Sequence, residues 1–374
     1  MNICVFTYDY PSKGRFVYTF VKQIVDEFAR KGNSCCVISP YPFIHHKGFC
    51  KQIEKYYVEN GGYVLVIRPN YLTLSNFKIG HFCLSNYLFN RALKTALNSV
   101  PFVPDVVYAH FWNQGILALD YAKSNNCPLF VATGESDIKV VLPKKLDLIR
   151  IKKEITGVIC VSTKNKKESI ELGLTSEDKC VIIPNGINEN LFRKMDKLSV
   201  RASLGLPKEG YIIIYVGWFN ERKGIKRVVK ALNEINGEPV YSILIGGEEE
   251  IECKNMLIKG RFPHETIPLY LNAADVFVLP TLKEGCCNAV VEAMACGLPI
   301  ISSNLDFNLD VLNETNSILI DPNNIGEIRN SIIELRDNKV KRAYLSEGAL
   351  STAKKLTLEQ RANRILSFIN NNKF

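Results

Sequence analysis

Between Leu279 and Pro299 the chain reads Leu-Pro-Thr-Leu-Lys-Glu-Gly-Cys-Cys-Asn-Ala-Val-Val-Glu-Ala-Met-Ala-Cys-Gly-Leu-Pro. This order predicts a strand ending at Pro280, a loop turning at Gly285, and a helix that starts near Asn288 and stops at Gly297. The first amides of a helix have no partner inside it, so the Gly285-Cys286-Cys287 loop and the helix start can hold an anion. Glu284 sits in the loop and Glu292 one turn inside the helix. Carboxylates placed there suit the hydroxyls of a sugar or ribose, which donate hydrogen bonds to them. An N-capped helix with two solvated glutamates fits the same spacing, and spacing alone leaves both readings standing. A second group of chemical interest is Arg222-Lys223-Gly224, two cations at a helix start. A third is His110, which ends the run Asp105-Val-Val-Tyr-Ala-His.

These residues need a scaffold, and the rest of the chain supplies one. Short β-branched runs alternate with segments of helical period, the pattern of parallel sheets covered by helices. Ile3–Thr7 reads as a strand, and Val17, Phe20, Val21, Ile24, Val25 and Phe28 then line one face of a helix that closes at Lys31-Gly32. Cys35–Ser39, Asp105–Tyr108, Leu129–Thr133, Gly157–Ser162 and Cys180–Ile183 repeat the theme. A polar link from Pro184-Asn185-Gly186 to Gly205-Leu206-Pro207 follows, and the rhythm restarts at Tyr211–Val216 with Ile225, Val228, Val229, Leu232 and Ile235 on one helix face. Ser242–Ile245, Val276–Leu279, Pro299–Ile301 and Ile318–Ile320 are further strands. The expectation is two Rossmann-like, doubly wound α/β domains, residues 1–190 and 191–356, facing a central cleft. A last helix, about 357–374, is open to either half, with packing back on the first domain included. Ligands of such sheets bind beyond the carboxyl ends of the strands.

Composition narrows the classes. With 374 residues, 47% hydrophobic and 23% charged, the chain is too long for one core and excludes peptide toxin, coiled coil and disordered tail. The net charge of +9 is uneven: residues 1–180 hold 23 Lys and Arg against 15 Asp and Glu, and residues 181–374 hold 24 against 23. Twelve cysteines without a Cys-x-x-Cys pair point to a reducing cytosol rather than a disulfide scaffold or zinc site. The start, Met-Asn-Ile-Cys-Val-Phe, reads as a strand and not as a signal peptide. The longest apolar run, Tyr211–Phe219, is about half of a membrane span. A soluble protein, cytoplasmic or at the inner face of the membrane, is expected.

The Glu284 to Pro299 block resembles the Glu-x7-Glu signature of retaining glycosyltransferases of family 4, which have the GT-B fold. The resemblance extends over nearly the whole chain. It takes in Val216-Gly217 followed by Arg222-Lys223-Gly224, Val161-Ser162, Ile183-Pro184-Asn185-Gly186-Ile187 with Phe192, and Gly260-Arg261-Phe262. It implies Glu284 beside the donor-sugar hydroxyls, Glu292 on the ribose hydroxyls, and the amides of Asn288, Ala289 and Val290 on the diphosphate. Lys223 matches the lysine that stabilises the leaving diphosphate, and His110 the histidine that contacts the donor sugar near the reacting carbon. Arg261 and Phe262 match the loop that holds the base, with a core role for Phe262 as the alternative. Gly14 matches the glycine loop after strand one, where a missing side chain lets backbone approach the diphosphate or acceptor, with Arg15 beside it. A plain turn glycine is the alternative for Gly14.

Two departures stand out. Trp218 occupies the position directly after Val-Gly where the family carries arginine. Arg222 either replaces it, through the bidentate fork a guanidinium offers phosphate, or is a solvated helix-start residue. Thr133-Gly134-Glu135-Ser136-Asp137 stands where relatives read Thr-x-His-Gly-x-Asp; Asp137 remains, and Glu135 faces the acceptor under this reading. No Asp-x-Asp pair occurs, so no metal and no cofactor is expected, and cationic side chains with the helix dipole do that work. The implied reaction moves a hexosyl group from a nucleotide sugar, a UDP-sugar first, to a saccharide or lipid-linked saccharide in bacterial surface polysaccharide assembly. The alternatives are a non-catalytic nucleotide-sugar binder, a GDP-mannose-dependent mannosyltransferase, and, lower, a basic nucleic-acid binder, for which no recognised motif appears. Residues 71–100, with Tyr71, Phe77, Phe82, Tyr87, Phe89, Lys78, Arg91 and Lys94 and no acid, read as an anionic-membrane surface or as a helix pair with aromatics inside and cations outside. Lys144, Lys145, Arg150, Lys152, Lys153, Lys164, Lys166 and Lys167 form a second basic stretch.

Overall fold

The structure is a computed structural model that describes residues 1–12, 17–42, 52–59, 61–72, 78–79, 82–247 and 249–373. Gly14 and Arg15 lie outside the described residues, as does Phe77. The chain divides into two compact units, each built on one sheet.

Unit 1 holds Met1–Val161, Asn165–Ile183 and Ala362–Phe374. Its strands are β1 (Asn2–Phe6), β2 (Ser34–Ile38), β3 (Tyr41–Pro42), β4 (Ile53–Tyr57), β5 (Tyr63–Ile67), β6 (Asn70–Tyr71), β7 (Lys78–Ile79), β8 (Phe82–Cys83), β9 (Val106–His110), β10 (Leu129–Thr133), β11 (Gly157–Cys160) and β12 (Cys180–Ile182). Its helices are α1 (Thr19–Arg30), α2 (Leu84–Asn98), α3 (Trp112–Ser124), α4 (Ile138–Val141), α5 (Leu148–Glu154) and α6 (Thr163–Glu171). Eight strands pair in the order β12-β11-β10-β9-β1-β2-β5-β4, with only β4 antiparallel, against β5. Successive side chains of a strand point to opposite faces, and β1 shows it: Ile3 and Val5 join one core, Cys4 and Phe6 the other. α1 covers the first face with Val21, Ile24, Val25 and Phe28, and Ala362, Ile365, Leu366 and Ile369 join it there. α3 covers the second with Trp112, Ala118, Leu119 and Ala122. Every residue of β9 and β10 is buried, as a sheet covered on both sides requires.

Among the described residues of 71–100 there is one helix and not a pair. Two short strands, β7 and β8, pair antiparallel and lead into the single helix α2. On that helix Leu93 and Ala96 are buried, Phe89 packs on the core, and Arg91 and Lys94 are exposed.

Unit 2 holds Ser162–Lys164 and Pro184–Arg361. Along it run α7 (Lys197–Ser203), β13 (Tyr211–Val216), α8 (Ile225–Asn233), β14 (Val240–Ile245), β15 (Met256–Gly260), α9 (Ile267–Ala273), β16 (Val276–Leu279), α10 (Asn288–Ala295), β17 (Ile300–Ser303), β18 (Ser317–Ile320), α11 (Ile325–Asp337) and α12 (Lys339–Ala353); the last helix, α13 (Leu358–Asn372), belongs to unit 1 from Ala362 on. The six strands are parallel in the order β15-β14-β13-β16-β17-β18. Helices alternate with strands because the connections cross over, and buried Val and Ile on both strand faces meet the apolar stripes of α8 and α10. Among the parallel strands of each sheet the order reverses once, next to β1 and next to β13. The carboxyl ends of β1 and β9, and those of β13 and β16, are therefore the places where such sheets open to a ligand.

Candidate active site

In unit 2 the loops that leave β13 and β16 are tied together by their backbones. The N–H of Leu282 donates to the Arg222 carbonyl at 2.8 Å, and the Arg222 guanidinium donates to the Lys283 carbonyl at 2.7 Å. Gly224, at φ +80°, makes this approach possible, since a Cβ there would stand 2.5 Å from the Pro280 carbonyl oxygen. Asn220 Oδ1 accepts the Lys223 N–H at 2.9 Å and sets the turn that aims the lysine.

The result is a cluster on one oxygen. Glu284 Oε1 accepts from Lys223 Nζ at 2.7 Å, Arg222 Nη1 at 2.5 Å and Thr281 Oγ1 at 3.0 Å. Lys223 and Glu284 are nearly enclosed, and Arg222 is 38% exposed. Burial works against the Lys223 charge, but the Cys287 sulfur, once ionised, and the Glu284 carboxylate outweigh it and raise its pKa above the ordinary value. Lys223 Nζ is also 3.9 Å from Cys287 Sγ. Burial pushes the Cys286 thiol up to about 12 and raises that of Cys287, so both stay protonated at neutral pH.

Cys287 is the N-cap of α10, and Gly297, at φ +79°, follows its end. Asn185 steadies the helix start, donating to Asn288 Oδ1 at 2.6 Å and to the Cys286 carbonyl at 3.2 Å. Val290 departs from the sequence expectation: its N–H donates to the Cys287 carbonyl at 3.1 Å, the first bond of the helix. One turn on, Glu292 Oε1 meets His264 Nε2 at 2.9 Å, and the His264 ring lies 5.2 Å from that of Phe192. This contact with Glu292 raises the His264 pKa above its ordinary value.

The loop after β15 carries Arg261 and Phe262. The Arg261 guanidinium lies 4.4 Å over the ring of Trp218, which is 59% exposed. Phe262 stacks on Tyr270 at 4.5 Å and packs on the core while half-buried.

The remaining candidates are in unit 1. His110 ends β9, buried, with its ring against Phe20 at 5.2 Å and Phe111 at 4.5 Å. Glu135 is not turned outward as an acceptor-facing base. Its carboxylate accepts from Trp112 N at 2.7 Å, Thr133 Oγ1 at 2.6 Å and Gly134 N at 2.9 Å, so it holds the first turn of α3. Burial raises its pKa, and these three donors pull the other way. Asp137 is half-buried and precedes α4. Asn185, Thr281 and His264 had no assigned role in the sequence. His264 had a usable signal, standing two residues after Phe262 in the same loop, whereas a search for metal spacing passes it over.

Residues 196–352 match the family model described as glycosyl transferases group 1. A protein of Bacillus subtilis assigned as a teichuronic acid biosynthesis glycosyltransferase is 25% identical, the alignment covering 94% of this chain and 93% of that protein. The UDP-Gal:alpha-D-GlcNAc-diphosphoundecaprenol alpha-1,3-galactosyltransferase of Escherichia coli is 29% identical over 63% of this chain and 67% of its own. Among solved structures, sucrose-phosphate synthase from Thermosynechococcus elongatus has the same fold, with TM-score 0.78, 18% identity, and coverage of 99% of this chain and 98% of that one. Two parallel-sheet units of this kind, the second matched by a glycosyl transferase model, make the chain a glycosyltransferase of the GT-B fold.

Proposed function

We propose that this enzyme is a retaining family 4 glycosyltransferase that moves a hexosyl group from a UDP-sugar to a saccharide or lipid-linked saccharide in bacterial surface polysaccharide assembly. The observation that carries the reading is the cluster of Lys223, Arg222 and Glu284 beside the start of α10. A diphosphate bound there meets two cations and the amides of Asn288 and Ala289, an array already oriented toward negative charge. As the bond from the sugar's anomeric carbon to the phosphate oxygen breaks, the electron pair leaves with the nucleoside diphosphate, and Lys223 and Arg222 hold the charge that develops. Glu284 and Glu292 accept hydrogen bonds from the sugar and ribose hydroxyls. The acceptor oxygen attacks the anomeric carbon from the face the diphosphate leaves, and its proton passes to a phosphate oxygen. Under this reading Lys223 and Arg222 do the work a metal ion does elsewhere, unit 2 takes the donor, and unit 1 takes the acceptor. The E. coli relative's UDP-galactose donor and lipid-linked acceptor support the same choice for this chain.

A thermal-shift screen against UDP-, GDP- and ADP-sugars, run with and without EDTA, tests it, because a ligand of the folded state raises the melting temperature. UDP-sugars should raise it in both conditions, and Lys223→Ala and Glu284→Gln should each slow donor hydrolysis by about 10²–10³. Stabilisation by GDP-mannose alone makes the enzyme a mannosyltransferase, and loss of the shift in EDTA refutes metal independence.

A further inference from the structure

The reversal point of the unit 1 sheet has its own construction. Of the four non-glycine residues with positive φ among the described residues, Tyr18 (φ 53°) and Phe111 (φ 78°) stand directly before α1 and α3, the helices that follow β1 and β9. Such backbone is costly and persists where the surroundings enforce it, commonly at ligand sites. Here both strained residues are aromatic and touch each other, with ring centroids 6.0 Å apart. Tyr8, just past β1, lies 6.3 Å from Tyr18 at a 38° tilt and is 56% exposed. Phe20 lies 5.4 Å from Tyr18 and 5.2 Å from the His110 ring. Two carboxylates border this layer. Asp9 and Glu135 are both buried, and both act on the Tyr18 phenol, which burial chiefly, with Asp9, Tyr8 and Glu135, pushes up to about 12. The Glu135 carboxylate also pins Trp112 N–H and so fixes the strained Phe111 peptide.

A layer of rings at the sheet's reversal point, with Tyr8 exposed and Tyr18, Phe20 and Phe111 half-buried, matches the apolar side of a pyranose. The ring C–H hydrogens of a hexose form an apolar face that packs on an arene, and its hydroxyls are donors at the rim. We propose that Tyr8 and Tyr18, backed by Phe20 and Phe111, form a stacking platform for one hexopyranose ring of the acceptor. The proposal rests on the reading of unit 1 as the acceptor side, and it assigns that side to particular residues.

Saturation-transfer difference NMR on the full chain tests it, with the methyl glucosides, galactosides and N-acetylglucosaminides as probes. At least one probe should receive saturation on its ring C–H hydrogens. Tyr8→Ala should weaken that binding about tenfold, and Tyr8→Phe, which keeps the arene, should retain it. The UDP-induced rise in melting temperature should be the same in all three proteins. No saturation in any probe, or a signal undiminished in Tyr8→Ala, overturns the platform. A missing UDP response with the saccharide signal intact leaves the platform standing and sinks the donor reading instead.

Discussion

Glu284 concentrates three donors on one carboxylate oxygen, which makes the effects of neighbouring substitutions separable. In Lys223→Ala, Arg222 and Thr281 still hold Glu284, so the carboxylate is not orphaned and folding is little affected. The leaving diphosphate, however, loses its enclosed cation. Removing one preorganised group of this kind costs about 10²–10³ in turnover, and steady-state donor hydrolysis beside a melting curve would show a large kinetic loss with a small thermal one. Arg222→Ala should cost less, because the half-open guanidinium is better screened. The His264–Glu292 contact makes a different prediction. The His264 pKa is raised in the folded state, chiefly by its bond to Glu292. Its contribution to stability is therefore complete below the unfolded histidine value and fades as pH climbs through the raised one. The melting-temperature advantage of the native chain over His264→Asn should shrink as pH rises from below the ordinary histidine range to well above it. A pH-independent difference would mean that the contact works through packing on Phe192 and not through charge.

At the scale of elements, the site is two loops held at one distance, and Gly224 sets that distance. An added methyl at φ +80° would meet the Pro280 carbonyl oxygen at 2.5 Å. Gly224→Ala must therefore strain the turn or part the loops, at about 1–3 kcal/mol, and should lower both the melting temperature and the donor response while Lys223 and Glu284 are intact. A melting temperature equal to that of the native chain would show that the loops tolerate separation. The helix α10 was legible because its limits are written locally, in Leu279-Pro280 before it and Gly297 after it. The alternation of β-branched runs and amphipathic stripes likewise announced two parallel sheets. The Arg222–Glu284 pair was not legible, since it joins residues about sixty positions apart through tertiary placement. Nor was β4, whose alternating exposed and half-buried residues lack the solid apolar run of the inner strands. Glu135 misled for a related reason: nothing in the local sequence says that its carboxylate caps α3 and does not meet a substrate.

At the scale of the whole molecule the open term is charge. The excess of +8 in residues 1–180 is far from the donor cluster in sequence, where residues 181–374 are almost neutral. Part of the basic stretch is neutralised where it stands: Arg150 pairs with Asp120 and Glu154, Lys123 with Glu154, and Lys166 with Glu177. Exposed pairs like these add little stability, but they remove cations from the outward field. On α2 the balance differs, because residues 71–100 contain no acid and Arg91 and Lys94 face solvent beside the exposed Tyr87. No described helix is long and apolar enough to cross a membrane; a basic surface of this kind is drawn to lipid by about 1 kcal/mol per cation near anionic headgroups. The chain should float with anionic liposomes at low salt and stay behind with neutral ones. Added salt should release it, since exposed charges are screened within a Debye length of about 10 Å at 0.1 M. The double reversal Arg91→Glu, Lys94→Glu should abolish flotation without altering the UDP-induced thermal shift, because it touches only unit 1. If the native chain fails to float at low salt, the basic surface has no lipid to meet, and the excess charge falls to an anionic saccharide as the acceptor.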